Sequence, residues 1–156
     1  MVALPKTRQL PSDWLSVALP RPAEASYRLF CEIDRTPEWL AVLRSAVVTR
    51  RDRQGRPHDV AFMARLDNAA VGYTCQYSFD DRDRRVTWST PEGAQIRVEG
   101  FAQFQPLSPR SCLMTYLLDV DLGAAGLPGW ADPVFASHAA SATLSDFRDF
   151  AIRKID

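Results

Sequence analysis

An α+β fold, with a curved antiparallel sheet of seven strands gripping one long C-terminal helix, is what the succession of periodicities in this 156-residue chain predicts. Three observations point to it. An alternating segment gives way early to helical spacing. The stretch from Ser45 to Asp121 offers only strand-like segments joined by polar turns, and the C-terminal stretch returns to a helical stripe.

Taken in order, "DWLSVALP" sets Leu15, Val17 and Leu19 against Ser16 and Ala18, the alternation of a half-buried strand ended by Pro20. In "RPAEASYRLFCEID", Ala23, Tyr27, Phe30 and Ile33 recur at helical spacing, and Pro22 suits a first helical turn. A second short helix is expected in "RTPEWLAVL", with Thr36 as N-cap, Pro37 at the first position and Glu38 as a first-turn charge, presenting Trp39, Leu40 and Leu43. Strands are expected at Ala46 to Arg51, His58 to Leu66, Val71 to Phe79, Arg85 to Ser89, Gln95 to Gln105 and Ser111 to Asp121. With no helix between them, an antiparallel meander is the economical connection. The turns "RDRQGRP" and "DDRDRR" mix charges of both signs, as solvated hairpin tips do. After the Gly-rich "GAAGLPGWADP", Asp132 and Pro133 offer a cap and a first position for a helix to about Ile155, roughly 34 Å long at 1.5 Å per residue. Its stripe is uneven: Ala136 and Ala140 first, then Leu144, Phe147, Ala151 and Ile155, with Phe150 alongside. Such a helix seals a sheet tightly at one end and leaves room at the other.

Composition narrows the function. The length fits one domain over residues 1–156, with about 1–12 a polar extension, and 46% hydrophobic with 24% charged residues is ordinary for a soluble globular protein. Nineteen basic residues balance nineteen acidic ones, which argues against nucleic acid as a partner. Cys31, Cys75 and Cys112 are odd in number and lack a CxxC pair, so reduced thiols and a cytoplasmic location are expected. No apolar run approaches the roughly 18 residues of a membrane span, and "MVALPKTRQLP" lacks the apolar stretch of a signal peptide. Without HExxH, zinc-type cysteine spacing, a GxSxG elbow, a phosphate loop or a dinucleotide fingerprint, neither a metal nor a cofactor is expected.

"VGYTCQYSF" holds the most informative oddity. Strand alternation puts Val71, Tyr73, Cys75, Tyr77 and Phe79 on one face, so a core-facing side carries two phenols that each need a hydrogen-bond partner. Either both are satisfied individually or the face lines something roomier than a core.

Two blocks of the sequence resemble a known group. "VALPRPAEASYRLFCEIDRTPEWLAVLRSAVVTRR" is similar to the opening of the START-like (SRPBCC) superfamily, which includes polyketide cyclases/dehydrases and coenzyme Q-binding proteins: a strand, a "P-A-E" helix start, an Asp and a "P-E-W" turn. "IRVEGFAQFQPLSPRSCLMTYLLDVDL" resembles the group's last two strands, with Gly100, Phe104 and Pro106 at matching spacing. The resemblance implies a helix-grip fold enclosing a hydrophobic cavity in which relatives bind lipids, quinones, polyketides or hormones. A few catalyse ring closure and dehydration, and others act at protein or ribosome surfaces. No catalytic motif comes with it, and fold alone does not assign activity.

Strand parity then nominates cavity residues: Val60, Phe62, Ala64 and Leu66; Tyr73, Cys75, Tyr77 and Phe79; Val86 and Trp88; Cys112, Met114, Tyr116, Leu118 and Val120. In the strand near 95–105, either Val98, Gly100, Ala102 and Phe104 face inward, the small ones leaving space, or Arg97 and Glu99 do; the former is the working expectation. The ligand-binding candidates are Phe62, Ala64, Tyr73, Cys75, Tyr77, Trp88, Gly100, Ala102, Met114, Tyr116, Ala136 and Ala140, and the candidate catalytic groups are Tyr73, Tyr77 and Tyr116. A phenol or indole in an apolar pocket orients a carbonyl-bearing ligand or donates a proton to its enolate; the same rings could equally fill a core with their polar tips satisfied elsewhere. His58 beside Asp59, and His138 opposite the alanine stripe, are expected to face solvent, and capping or solvation accounts for Asp34, Glu38, Asp119 and Asp121. The leading expectation is a binding protein or carrier for a hydrophobic small molecule; the alternatives are a polyketide aromatase/cyclase or dehydratase, and a protein or ribosome interaction module. Phe135, opposite the stripe, would mark a dimer surface if the chain is a homodimer.

Overall fold

The computed structural model describes residues 15–66, 69–121 and 131–156, with side chains for all of these except 66, 69 and 131–141. The expected N-terminal extension, the Gly-rich connection and the side chains of Phe135, Ala136, His138 and Ala140 therefore lie outside the described residues. Strands β1 (Leu15–Leu19), β2 (Leu43–Arg51), β3 (Pro57–Leu66), β4 (Ala69–Asp80), β5 (Arg85–Ser89), β6 (Arg97–Ser108) and β7 (Ser111–Asp121) form one antiparallel sheet in the order β1-β7-β6-β5-β4-β3-β2. Helix α1 (Ala23–Phe30) and a 3-10 helix (Ile33–Glu38) follow β1, and α2 (Ala131–Lys154) packs against β1, β7 and α1. This is the predicted architecture.

The differences are local and have physical causes. "RTPEWLAVL" does not start a second α-helix: the 3-10 helix begins earlier, at Ile33, and contains Pro37. Thr36 is buried and its Oγ1 donates to the Ile33 carbonyl at 2.7 Å, so the hydroxyl is spent backwards instead of capping forwards. Pro22 is the N-cap of α1, not a residue of its first turn; its backbone is extended and its carbonyl accepts from the Ser26 amide at 3.0 Å. β2 starts at Leu43 rather than Ala46 because a bulge between Leu43 and Ser45 breaks the alternation that marks a strand in sequence. β6 starts at Arg97 and runs past Gln105 to Ser108, absorbing Pro106 next to a register shift. α2 begins at Ala131, one residue before its expected cap Asp132.

The second half of α2 meets the core as its stripe predicts, with Leu144, Phe147, Phe150 and Ala151 all buried. Phe147 sits at the centre, its ring edge-on to Trp39 at 5.0 Å and to Phe30 at 5.4 Å, and 5.8 Å from Phe104. At the C-terminal end, Arg21 donates to the carbonyls of Ile152 and Ile155, two acceptors the helix leaves without intrahelical partners.

A polar tie holds α1 to two hairpin tips. Tyr27 is buried, yet its hydroxyl donates to Asp81 Oδ1 at 2.7 Å, and Arg56 donates to both oxygens of the same carboxylate at 3.0 and 3.1 Å. Because Asp81 is largely exposed, Tyr27→Phe is expected to lower the unfolding free energy by only about 0.5–1.5 kcal/mol in urea titrations. A loss well beyond that range would mean that the tie also determines how α1 packs.

Candidate functional site

Backbone parity delivers the inner wall. In β3 and β4, Val60, Phe62, Ala64, Val71, Cys75 and Tyr77 are buried and Tyr73 is half-buried; in β5, Val86 and Trp88 are buried. The open question about β6 resolves toward the small residues, since Val98, Gly100, Ala102 and Phe104 face in while Arg97 and Glu99 lie on the outer face, 3.6 Å apart.

A cavity of about 50 Å³ lies against this wall. From the sheet it is lined by Phe62, Tyr73, Cys75, Tyr77, Trp88 and Tyr116, with Val98 and Leu118 at the β6–β7 side. The opposite wall comes from Phe30 at the end of α1 and from the segment after it, chiefly Ile33, Thr36, Trp39 and Leu40. From the sequence, Phe30 and Ile33 read as part of a helical stripe, Thr36 as an N-cap, and Trp39 and Leu40 as the presented side chains of a second helix, and none of them is nominated for the cavity. Their turn into a 3-10 helix brings them over the sheet.

Four nominated residues do not line the cavity. Ala64, Ala102 and Met114 are buried in ordinary packing. Gly100 leaves no space, because the Trp88 indole lies over it: a β-carbon there would stand 3.0 Å from the ring and closer still to the Leu117 carbonyl oxygen. The wider set shrinks likewise. Val60, Val86, Cys112 and Val120 pack without lining the cavity, and Phe79 sits outside it beneath the Arg56 guanidinium, 4.9 Å from its ring centre.

The wall is aromatic and its polar tips are few. Trp88 stacks on Phe30 at 6.0 Å and leans on Tyr116 at 5.6 Å and Tyr77 at 5.8 Å; Phe62 leans on Tyr73 at 5.4 Å. Burial pushes the Tyr73 and Tyr77 phenols well above their ordinary range, and the neighbouring Cys75 and Tyr116 push the same way. Burial also raises the Cys75 thiol to about 12. All three groups stay neutral at pH 7, and the contacts seen for the Tyr73 and Tyr77 side chains among the described residues are with other rings. None of the described residues lining the cavity is charged.

The other candidate groups lie elsewhere. On the β2–β3 hairpin His58 accepts from the Arg50 guanidinium at 2.9 Å and contacts its neighbour Asp59, so the ring is paired at the surface, half-buried. Asp34 and Glu38 are exposed on the 3-10 helix, and Asp119 and Asp121 stand with Arg97 and Glu99 on the outer sheet face. Among the described residues no group of three His, Cys, Asp or Glu side chains could hold a metal, and no helix is long and apolar enough to cross a membrane.

This geometry is that of known proteins, although neither a protein-family model nor a curated protein matches the sequence. Zhui aromatase/cyclase from Streptomyces sp. R1128 superposes with a TM-score of 0.73 at 14% identity, over 90% of this chain and 93% of that one. A protein from Thermus thermophilus does so with a TM-score of 0.71 at 19% identity, over 90% and 96%. A START superfamily protein from Mycobacterium smegmatis follows with 0.68 at 16% identity, over 88% and 97%. The chain has the START-like, helix-grip fold shared by START proteins and polyketide aromatase/cyclases.

Proposed function

We propose that this protein binds a hydrophobic small molecule, of lipid, isoprenoid quinone or polyketide-like character, as a carrier or binding protein. The ligand lies between the sheet and the helical elements, against Phe62, Cys75 and Trp88, with Tyr73, Tyr77 and Tyr116 fixing its orientation. One observation carries this reading: Tyr73 and Tyr77 present neutral hydroxyls, for which no hydrogen bond is seen among the described residues, on the wall of a mostly apolar cavity. Such a hydroxyl can donate to a ligand oxygen, a bond worth about 0.5–1.5 kcal/mol.

Size qualifies the mode of binding. The cavity of about 50 Å³ is smaller than the roughly 150 Å³ that admits benzene. Ligand entry therefore displaces side chains, and Trp39 and Leu40 are the ones placed to yield, because they follow the short 3-10 helix whereas the opposing wall is a hydrogen-bonded sheet.

Nile red titration of the purified chain tests the reading. Saturable fluorescence enhancement is expected, and it is weakened at least about tenfold by Leu40→Arg, which places a charge in the cavity wall. Absence of binding by Nile red, together with a ligand-free protein in native mass spectrometry, overturns it.

Aromatase/cyclase or dehydratase activity is the second reading, favoured by the same phenols. Held protonated by burial, they suit proton donation to an enolate and not proton abstraction. Catalysis would then need a base, and no lining residue among those described is a carboxylate or histidine. Cyclisation of a poly-ketone, lost in the Tyr73→Phe, Tyr77→Phe double variant, would replace the carrier reading.

A further inference from the structure

We infer that the portion of the ligand enclosed by the cavity is electrically neutral and bears acceptor oxygens, so that ketones, quinones or comparable carbonyl compounds are taken and carboxylate-headed acyl chains are refused. This rests on the binding reading above and adds the charge class of the ligand to it.

Two facts set the sign. Two groups on the wall are donors for which no acceptor is seen among the described residues, the Tyr73 and Tyr77 hydroxyls, and they lie close enough to Tyr116 and Cys75 to feel those groups electrically. These neutral groups share a cavity wall whose other residues are mostly hydrocarbon and aromatic ring. A carbonyl oxygen accepts one or two such bonds without bringing charge into the low-dielectric interior.

The second fact concerns cations. A buried carboxylate needs a paired cation or several charge-assisted bonds to offset the loss of its hydration. None of the described lining residues supplies one. The sequence from Leu122 through Phe147 contains no lysine or arginine, and its one basic side chain is His138. Arg35, the cation on the 3-10 helix, is held by Glu32 and Glu38 at 3.0–3.1 Å and lies over the Phe150 ring, which is not part of the cavity wall. Among the described residues a carboxylate head would meet neutral hydroxyls, indoles and a thiol, but no cation.

The test compares three probes of one skeleton at pH 7 by calorimetric titration of the full chain: 2-acetylnaphthalene, naphthalene and 2-naphthoate, with Nile red as the reference for cavity binding. The ketone is expected to bind at least about tenfold more tightly than the isosteric carboxylate, and more tightly than the unsubstituted hydrocarbon. Tyr73→Phe with Tyr77→Phe should remove the advantage of the ketone over naphthalene. Nile red binding accompanied by 2-naphthoate affinity equal to or above that of the ketone, or by no measurable ketone binding, overturns the neutrality inference alone. Failure of Nile red and all three probes removes the binding reading, and this inference with it.

Discussion

Phe147→Ala lowers the free energy of unfolding by about 3–5 kcal/mol, the range for truncating a buried aromatic. The residue is fully buried and its ring touches four others, those of Phe30, Trp39, Phe104 and Phe150. These come from α1, from the segment after the 3-10 helix, from β6 and from α2 itself, so the ring joins every layer of the molecule that α2 reaches. Collapse into the vacated space is hard, because the sheet side is held by backbone pairing and the aromatic neighbours are too large to turn into it. The whole cavity penalty is therefore felt. Denaturant titration monitored by tryptophan emission gives the number, and Trp39, 5.0 Å from the lost ring, reports the loosening directly. A loss below about 1.5 kcal/mol would show that α2 is held mainly by its contacts with β1 and β7 and not by this aromatic centre. The same substitution should raise affinity for bulky apolar probes, since it frees Trp39 to yield.

Most of the fold was legible because it follows from periodicity. Val71 to Phe79 alternates cleanly, and its register with β3 and β5 runs without a bulge, so of the inward set read from the sequence Val71, Cys75 and Tyr77 are buried and Tyr73 and Phe79 half-buried. Leu144, Phe147, Phe150 and Ala151 behave similarly on α2. The misreadings fall where backbone geometry departs from either period. The bulge near Leu43 hides the start of β2, and the backward bond from Thr36 to Ile33 turns an apparent helix N-terminus into a helix end. That second departure matters for the site, for it lays Trp39 and Leu40 over the sheet as the opposing cavity wall. The candidate site was legible on its sheet side, where parity selects Phe62, Tyr73, Cys75, Tyr77, Trp88 and Tyr116. It was not legible at Gly100, because sequence reports the absence of a side chain there but not which neighbour occupies the space.

Gly100→Ala is expected to cost about 3 kcal/mol, much more than one added methyl group suggests. The pairing of β6 with its neighbours places Gly100 between Trp88 of β5 and Leu118 of β7. A β-carbon would lie 3.0–3.1 Å from the indole and would overlap the Leu117 carbonyl oxygen outright. The indole can tilt, but the carbonyl belongs to the sheet, so relief requires β6 and β7 to part or shift locally, at the expense of ladder hydrogen bonds. Ala102→Gly is the matching control. It sits two residues further along the same inward face and is equally buried, and it should cost no more than roughly 1 kcal/mol through lost packing and backbone entropy. The two strand variants thus separate steric exclusion at one position from a general dislike of change in β6. Any tilt of the Trp88 ring carries it toward the cavity, so Gly100→Ala should also weaken Nile red binding and shift tryptophan emission, whereas Ala102→Gly leaves both near their original values. Equal destabilisation by the two substitutions, with unchanged emission, would mean that the indole does not depend on the bare backbone beneath it.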